Sequence, residues 1–247
     1  MGNATAFKAR IGSANYNLQL PMSDEDYVIV RYPTFNDLYG KKDASKKSET
    51  SDRVDRSYMD VRQLRDGLIK SNPNTVEILY TDRVTDVKGH LWAALQELRH
   101  EITVMNLSHL FDASFGMFHN EMKRYQREMQ KGDKVRAGKA AASGFRIMLT
   151  IYDFYKKDFT DYEGCMRYDN EVDKVAREKL INMKLGIVTP EFIKEQAGQY
   201  YALSEELKPK FHAHFKNEEM EKEVREIFHY YTKQQLQEEL LTGGLIR

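Results

Sequence analysis

Asp24-Glu25-Asp26-Tyr27-Val28-Ile29-Val30 organises the N-terminal third of this chain. Aromatic and β-branched residues follow the acids without a break, which is strand chemistry. Val28 and Val30 would line one face, Tyr27 and Ile29 the other, so both faces are apolar and the strand is expected to be central. Successive side chains of a strand point to opposite sides. Asp24 and Asp26 are therefore expected on one face and Glu25 on the other. Two carboxylates sharing a face repel each other unless a cation lies between them. Mg²⁺ takes one or two protein carboxylates together with phosphate oxygens.

Working outward, Phe7 to Ile11 reads as a short strand that runs into Gly12-Ser13. Gly12 permits a tight turn or a close backbone approach, and Ser13 offers a hydroxyl and an N–H to a phosphate. Downstream, Lys41 to Arg56 is charged, Ser-rich and poor in large apolar residues, and reads as a loop. Asp52 and Asp55 fall inside it and rank behind Asp60 as candidate acids. Ser57 to Val61 reads as a third strand, and Arg62 to Lys70 as a helix with Leu64, Leu68 and Ile69 on one side. Asp60 with Gln63 also has capping-box spacing. Asn72-Pro73-Asn74 is a turn signal, and Val76 to Tyr80 reads as a short apolar strand carrying Glu77.

Beyond about residue 85 the pattern turns helical: Val87–Ile102, Val104–Gln130, Lys134–Tyr155, Glu171–Met183, Pro190–Leu207 and Glu221–Leu241. Gly132-Asp133 and Gly186 punctuate these segments, Thr189-Pro190 starts one, and Gly243-Gly244 closes the last. Neither an internal repeat nor a sustained heptad is present. The expected fold class is α+β, with a mixed-sheet module over residues 1–85 followed by an all-helical module over 86–247.

Lysine plus arginine and aspartate plus glutamate balance at 38 each, so no global basic excess advertises a nucleic-acid partner. A local basic stripe runs through Lys123, Arg124, Arg127, Lys131, Lys134, Arg136 and Lys139. The single Cys165 excludes an internal disulfide and fits a reducing compartment. No apolar signal core and no run of about 18 apolar residues is visible. A cytoplasmic protein without a membrane span is expected. His212 and His214 lack partners at zinc-ligand spacing.

The order Ile11-Gly12-Ser13, a short gap, then Ser23-Asp24-Glu25-Asp26-Tyr27 resembles the active-site signature of the polymerase-β-like nucleotidyltransferase superfamily. Asn72-Pro73-Asn74-Thr75-Val76-Glu77-Ile78-Leu79 is similar to the N-P-N-x-x-E-x-L segment of a bacterial and phage branch of it. The resemblance covers roughly residues 7–82 and weakly reaches Lys139 to Arg146. It implies a small mixed-sheet nucleotidyltransferase module. It further implies Mg²⁺ (or Mn²⁺) held by Asp24, Asp26 and Asp60, with a nucleoside triphosphate gripped by Gly12, Ser13 and Asn15. Lys139 and Arg146, seven residues apart on a predicted helix, would meet the triphosphate, in a cleft between the two modules. Glu77 would stand behind the metal site, orienting a cation or reaching the metal through water. The implied activity is transfer of a nucleoside monophosphate to an acceptor hydroxyl on an RNA end, a small molecule or a protein. The alternative is a toxin–antitoxin or defence-type interaction protein that keeps the nucleotide-binding fold.

Overall fold

Strand β2 (Glu25–Arg31) pairs on both sides, antiparallel with β1 (Thr5–Ile11) and parallel with β4 (Val54–Asp60). The computed structural model describes residues 4–40, 48–51 and 53–243. Among these, β3 (Ser48–Ser51) and β5 (Val84–Thr85) complete a five-stranded mixed sheet in the order β3-β4-β2-β1-β5. Phe7, Ala9, Val28 and Val30 are buried at alternate positions, as a central strand pair requires.

Between the strands lie a 3-10 turn (Gly12–Ala14), α1 (Phe35–Tyr39), α2 (Val61–Ile69), α3 (Pro73–Val76) and a second 3-10 turn (Glu77–Tyr80). Asp60 caps α2 and Thr34 caps α1, each in a complete capping box. Asn72 accepts from Asn74 N–H at the head of α3, with Pro73 in the first turn. Proline is pre-set for that position and continues into helix, so Val76 to Tyr80 is helical and 3-10, not the strand expected from its apolar run. Part of the expected loop at Lys41 to Arg56 is likewise strand: residues 48–51 form β3, and β4 begins at Val54. Residues 41–47 and Asp52 lie outside the described residues.

The helices that follow are α4 (Leu91–Glu97), α5 (Arg99–Val104), α6 (Leu107–Gln130), α7 (Lys134–Lys156), α8 (Tyr162–Met166), α9 (Lys174–Lys184), α10 (Pro190–His212) and α11 (Glu218–Gly243). A short 3-10 turn (Glu171–Asp173) precedes α9. The chain divides into two units at places other than residue 85. The sheet unit takes residues 1–15, 21–105 and 217–247, and so includes α4, α5 and α11. The helical unit takes residues 106–216 and also residues 16–20, the segment between β1 and β2.

In the helical unit, Phe118, Met122, Phe145, Met148, Leu180, Met183 and Ile193 form one core with Leu18 of the inserted segment. That segment is pinned by its backbone. Arg177 Nε donates to Asn17 O at 2.8 Å, Lys184 Nζ donates to Leu18 O at 2.5 Å, and Asn17 Nδ2 donates to Tyr168 O at 3.0 Å. Helices α7 and α9 approach so closely that a Cβ on Gly138 would stand 1.9 Å from Met183 O. Helix α6 ends in a Schellman motif: Gly132 N–H donates to Met129 O and Asp133 N–H to Glu128 O. The next two residues already start α7, with Asp133 Oδ1 accepting from Arg136 N–H at 2.9 Å. Among the described residues no helix is long and apolar enough to cross a membrane.

Candidate active site

The sheet register fixes which acids meet. Asp26 stands opposite Ile11 on β1 and opposite Asp55 on β4. Paired residues on adjacent strands share a face about 4.8 Å apart, so Asp26 and Asp55 are neighbours on the side that also carries Val28 and Val30. Glu25 is on the other side, where it accepts from Tyr27 Oη at 2.8 Å. Burial, with that hydrogen bond and the charge of Glu25 adding to it, pushes the Tyr27 phenol up. Asp24 is exposed, one residue ahead of β2.

Gly12 meets Asp26 directly. Its φ is +72°, and a Cβ there would lie 2.3 Å from Asp26 Oδ2. An L-residue would be strained at this φ and would also push the carboxylate away. Ser13 follows in the same 3-10 turn, which closes with Asn15 N–H donating to Gly12 O at 3.0 Å. Asn15 is buried, and its Oδ1 accepts from Asp82 N–H at 3.1 Å. Asp82 in turn takes a two-pronged ion pair from Arg10, and Thr81 Oγ1 donates to Arg10 O at 2.6 Å. The glycine turn is thus tied to the strand before it and to the segment ahead of β5. Asn15 Nδ2 is buried with no hydrogen-bond partner among the described residues, so this side chain braces the turn and keeps one donor uncommitted.

Asp55 was overshadowed in the sequence by Asp60. Its Oδ1 is buried and accepts no hydrogen bond among the described residues. An orphaned carboxylate oxygen beside a second carboxylate is costly unless a cation joins them. The signal for it was weak: Val54 to Met59 shows no apolar alternation, and only Tyr58-Met59 marked the end of the strand.

Asp60 does not join this group. It pairs with Arg31, five register positions from the Asp26–Asp55 pair, so about 17 Å along the strands. It is fully buried. Its carboxylate accepts from Arg62 N–H at 2.8 Å and is clamped by the Arg62 guanidinium at 2.9 and 2.7 Å, while Asp60 N–H donates to Gln63 Oε1. Glu77 is buried in the second 3-10 turn.

Lys139 and Arg146 belong to the helical unit. Their spacing put them on one face, yet Lys139 is exposed and Arg146 is 5% exposed. The reason is that α7 starts at an exposed hairpin tip and runs into the core. There the Arg146 guanidinium lies 3.7 Å above the Tyr16 ring, a stacked cation rather than an open fork.

Among the described residues, no group of three or more histidine, cysteine, aspartate and glutamate side chains is arranged to hold a metal ion. The donor set at the sheet is the pair Asp26 and Asp55, with Asp24 near by in sequence. That suits a hard cation such as Mg²⁺, which keeps waters and takes its remaining ligands from phosphate. No protein-family model matches the chain, and no curated protein matches it.

Proposed function

We propose that this chain is a metal-dependent nucleotidyltransferase whose acids are Asp26 and Asp55, with Asp24 at the entry to β2. One observation carries the proposal: a glycine turn with φ of +72° is pressed against the carboxylate of Asp26, whose register partner is a second carboxylate with an orphaned buried oxygen. A glycine turn and a pair of facing acids then share one corner of the sheet, in the chain order of the Gly-Ser and Asp-x-Asp motifs.

Asp26 and Asp55 would hold Mg²⁺ or Mn²⁺. Bound there, the ion would neutralise charge on the triphosphate and lower the pKa of the attacking hydroxyl. Gly12 and Ser13 present main-chain N–H groups and a hydroxyl to phosphate oxygens, and Asn15 keeps that turn in place. The acceptor hydroxyl oxygen bonds to the α-phosphorus as the bond to pyrophosphate breaks. Asp55, with an oxygen that accepts no hydrogen bond among the described residues, takes the proton. Asp60 is a structural cap in this scheme, and Arg146 serves the helical core.

The test is pyrophosphate release from each nucleoside triphosphate with Mg²⁺ or Mn²⁺ and a mixed cellular RNA and protein acceptor pool. Release should vanish in Asp26→Asn and Asp55→Asn and persist in Asp60→Asn below its melting temperature. Triphosphate binding without any pyrophosphate would instead favour the defence-type interaction protein.

A further inference from the structure

The tip of the α6–α7 hairpin carries a concentration of charge that the function above does not use. Residues 123–139 hold seven basic side chains against two acids, in a chain whose charges balance at 38 each as a whole. Lys123, Arg124, Arg127 and Lys131 on the α6 side, and Lys134, Arg136 and Lys139 on the α7 side, are all exposed. Local acids answer only part of this charge. Glu128 takes Lys131 at 3.0 Å and Arg127 at 3.4 Å, Glu121 takes Arg124 at 3.6 Å, and Asp133 takes Arg136 at 3.4 Å. Lys123, Lys134 and Lys139 have no carboxylate in ion-pair range among the described residues.

From this we infer that the hairpin tip is a docking surface for a nucleic-acid strand, gripped through its phosphates. The charge is fixed in space, because the Schellman turn at Gly132 and the Asp133 cap leave only a short, hydrogen-bonded connection between the helices. Lys123, Arg127 and Lys131 follow each other at one-turn intervals, about 6 Å along the axis, a row suited to successive phosphates. The arginines add planar forks that match phosphate oxygens. Gln126 and Gln130 are exposed between them and offer further donors. An acidic membrane surface is less well served. Val135, 50% exposed, and the exposed Leu185 and Ile187 that flank Gly186 beside Lys134 are isolated aliphatic side chains on different elements rather than one apolar helix face for insertion.

The experiment is fluorescence anisotropy of the full chain with labelled single strands of mixed sequence, about thirty nucleotides long, as RNA and as DNA. It is run in EDTA without nucleotide, so the result does not depend on whether the protein transfers nucleotides. Both strands should bind, since phosphates are common to them. The logarithm of the association constant should fall with the logarithm of salt concentration. The triple variant Lys123→Glu, Lys134→Glu, Lys139→Glu should lose at least about tenfold in affinity and flatten the salt slope by about 2. The double variant Lys208→Glu, Lys210→Glu on the exposed side of α10 should bind as the parent does. The triple glutamine variant, with an unchanged circular dichroism spectrum, guards against loss of fold and should still bind measurably more weakly. Absence of strand binding at 50 mM salt, equal binding by the triple variants, or tighter binding to phosphatidylserine vesicles or polyglutamate would overturn the inference.

Discussion

The sheet unit and the helical unit both bring charged side chains away from water, and they do it in opposite ways. At the start of β2 two carboxylates, Asp26 and Asp55, stand side by side with a glycine turn against one of them. Nothing among the described residues satisfies Asp55 Oδ1. In the helical unit Arg146 is as deep as many core residues, but an aromatic face covers its guanidinium. The first arrangement leaves a carboxylate oxygen without a hydrogen bond among the described residues. The second is complete, and it stabilises a fold. Residue type alone does not separate a site from a brace; what surrounds the charge does.

Two glycines test that contrast most strongly. Gly138→Ala would set a methyl group 1.9 Å from the Met183 carbonyl oxygen, a backbone atom that cannot step aside. About 3 kcal/mol or more of stability should be lost in chemical denaturation, since overpacking between fixed helices is not relieved by a rotamer change. Gly12→Ala collides with a side chain instead, at a φ of +72°. Its stability cost should be smaller, about 1–2 kcal/mol, while pyrophosphate release should be lost with the displaced Asp26 carboxylate.

The two acids of β4 sharpen the same comparison at lower cost. Asp60→Asn weakens a buried, two-pronged pair with Arg62 and should lower stability by about 2 kcal/mol, read from urea midpoints. Asp55→Asn removes one of two facing carboxylates, so in EDTA the protein should be as stable as the parent or more so. Equal destabilisation by both substitutions would mean that Asp55 too is a structural acid.

A smaller effect is expected where α7 ends. Asp158 adopts φ of 50° as its N–H donates to Tyr155 O, while Phe159 N–H donates to Phe154 O and the two phenyl rings meet edge to face at 5.4 Å. This is the Schellman geometry of Gly132 with an aspartate where glycine is favoured. Asp158→Gly should raise stability by about 0.5–1 kcal/mol, visible as a shift in the melting temperature. The smallest effect depends on pH. Burial raises the Asp153 carboxyl above its ordinary 3.8, with the Asp173 carboxylate adding to it and Lys157 opposing. A carboxyl raised on folding contributes stability that is present below pH 3.8 and is lost as pH rises through its folded value. Asp153→Asn should therefore be more stable than the parent at pH 7, and the gap should close on acidification, as paired thermal melts will show.

Much of the architecture was legible in local pattern. The apolar run after Asp26 specified a two-sided strand, and the helical segments expected at Val104–Gln130 and Lys134–Tyr155 are α6 and α7. Thr189-Pro190 gave the start of α10, where Thr189 Oγ1 accepts from Phe192 N–H at 3.3 Å. Of the proposed site, Gly12, Ser13 and Asp26 were candidates from the sequence, whereas Asp55 ranked behind Asp60. Asp55 follows a polar, charged stretch, and its membership in the sheet comes from parallel pairing with a strand nearly thirty positions earlier. Val76 to Tyr80 misled because a short apolar run has no period of its own, and Pro73 after an Asn cap decided for helix.

Periodicity, capping and turn chemistry are properties of neighbouring residues, so the chain alone dictated where most strands and helices form and that a glycine turn precedes two acids. Register, unit membership and the surroundings of each charge depend on residues far apart along the chain. Only the folded molecule could pair Asp26 with Asp55, assign residues 16–20 to the helical unit and bury Arg146 against Tyr16. The physical reason is that local hydrogen bonding chooses the element, whereas long-range pairing and burial choose its neighbours.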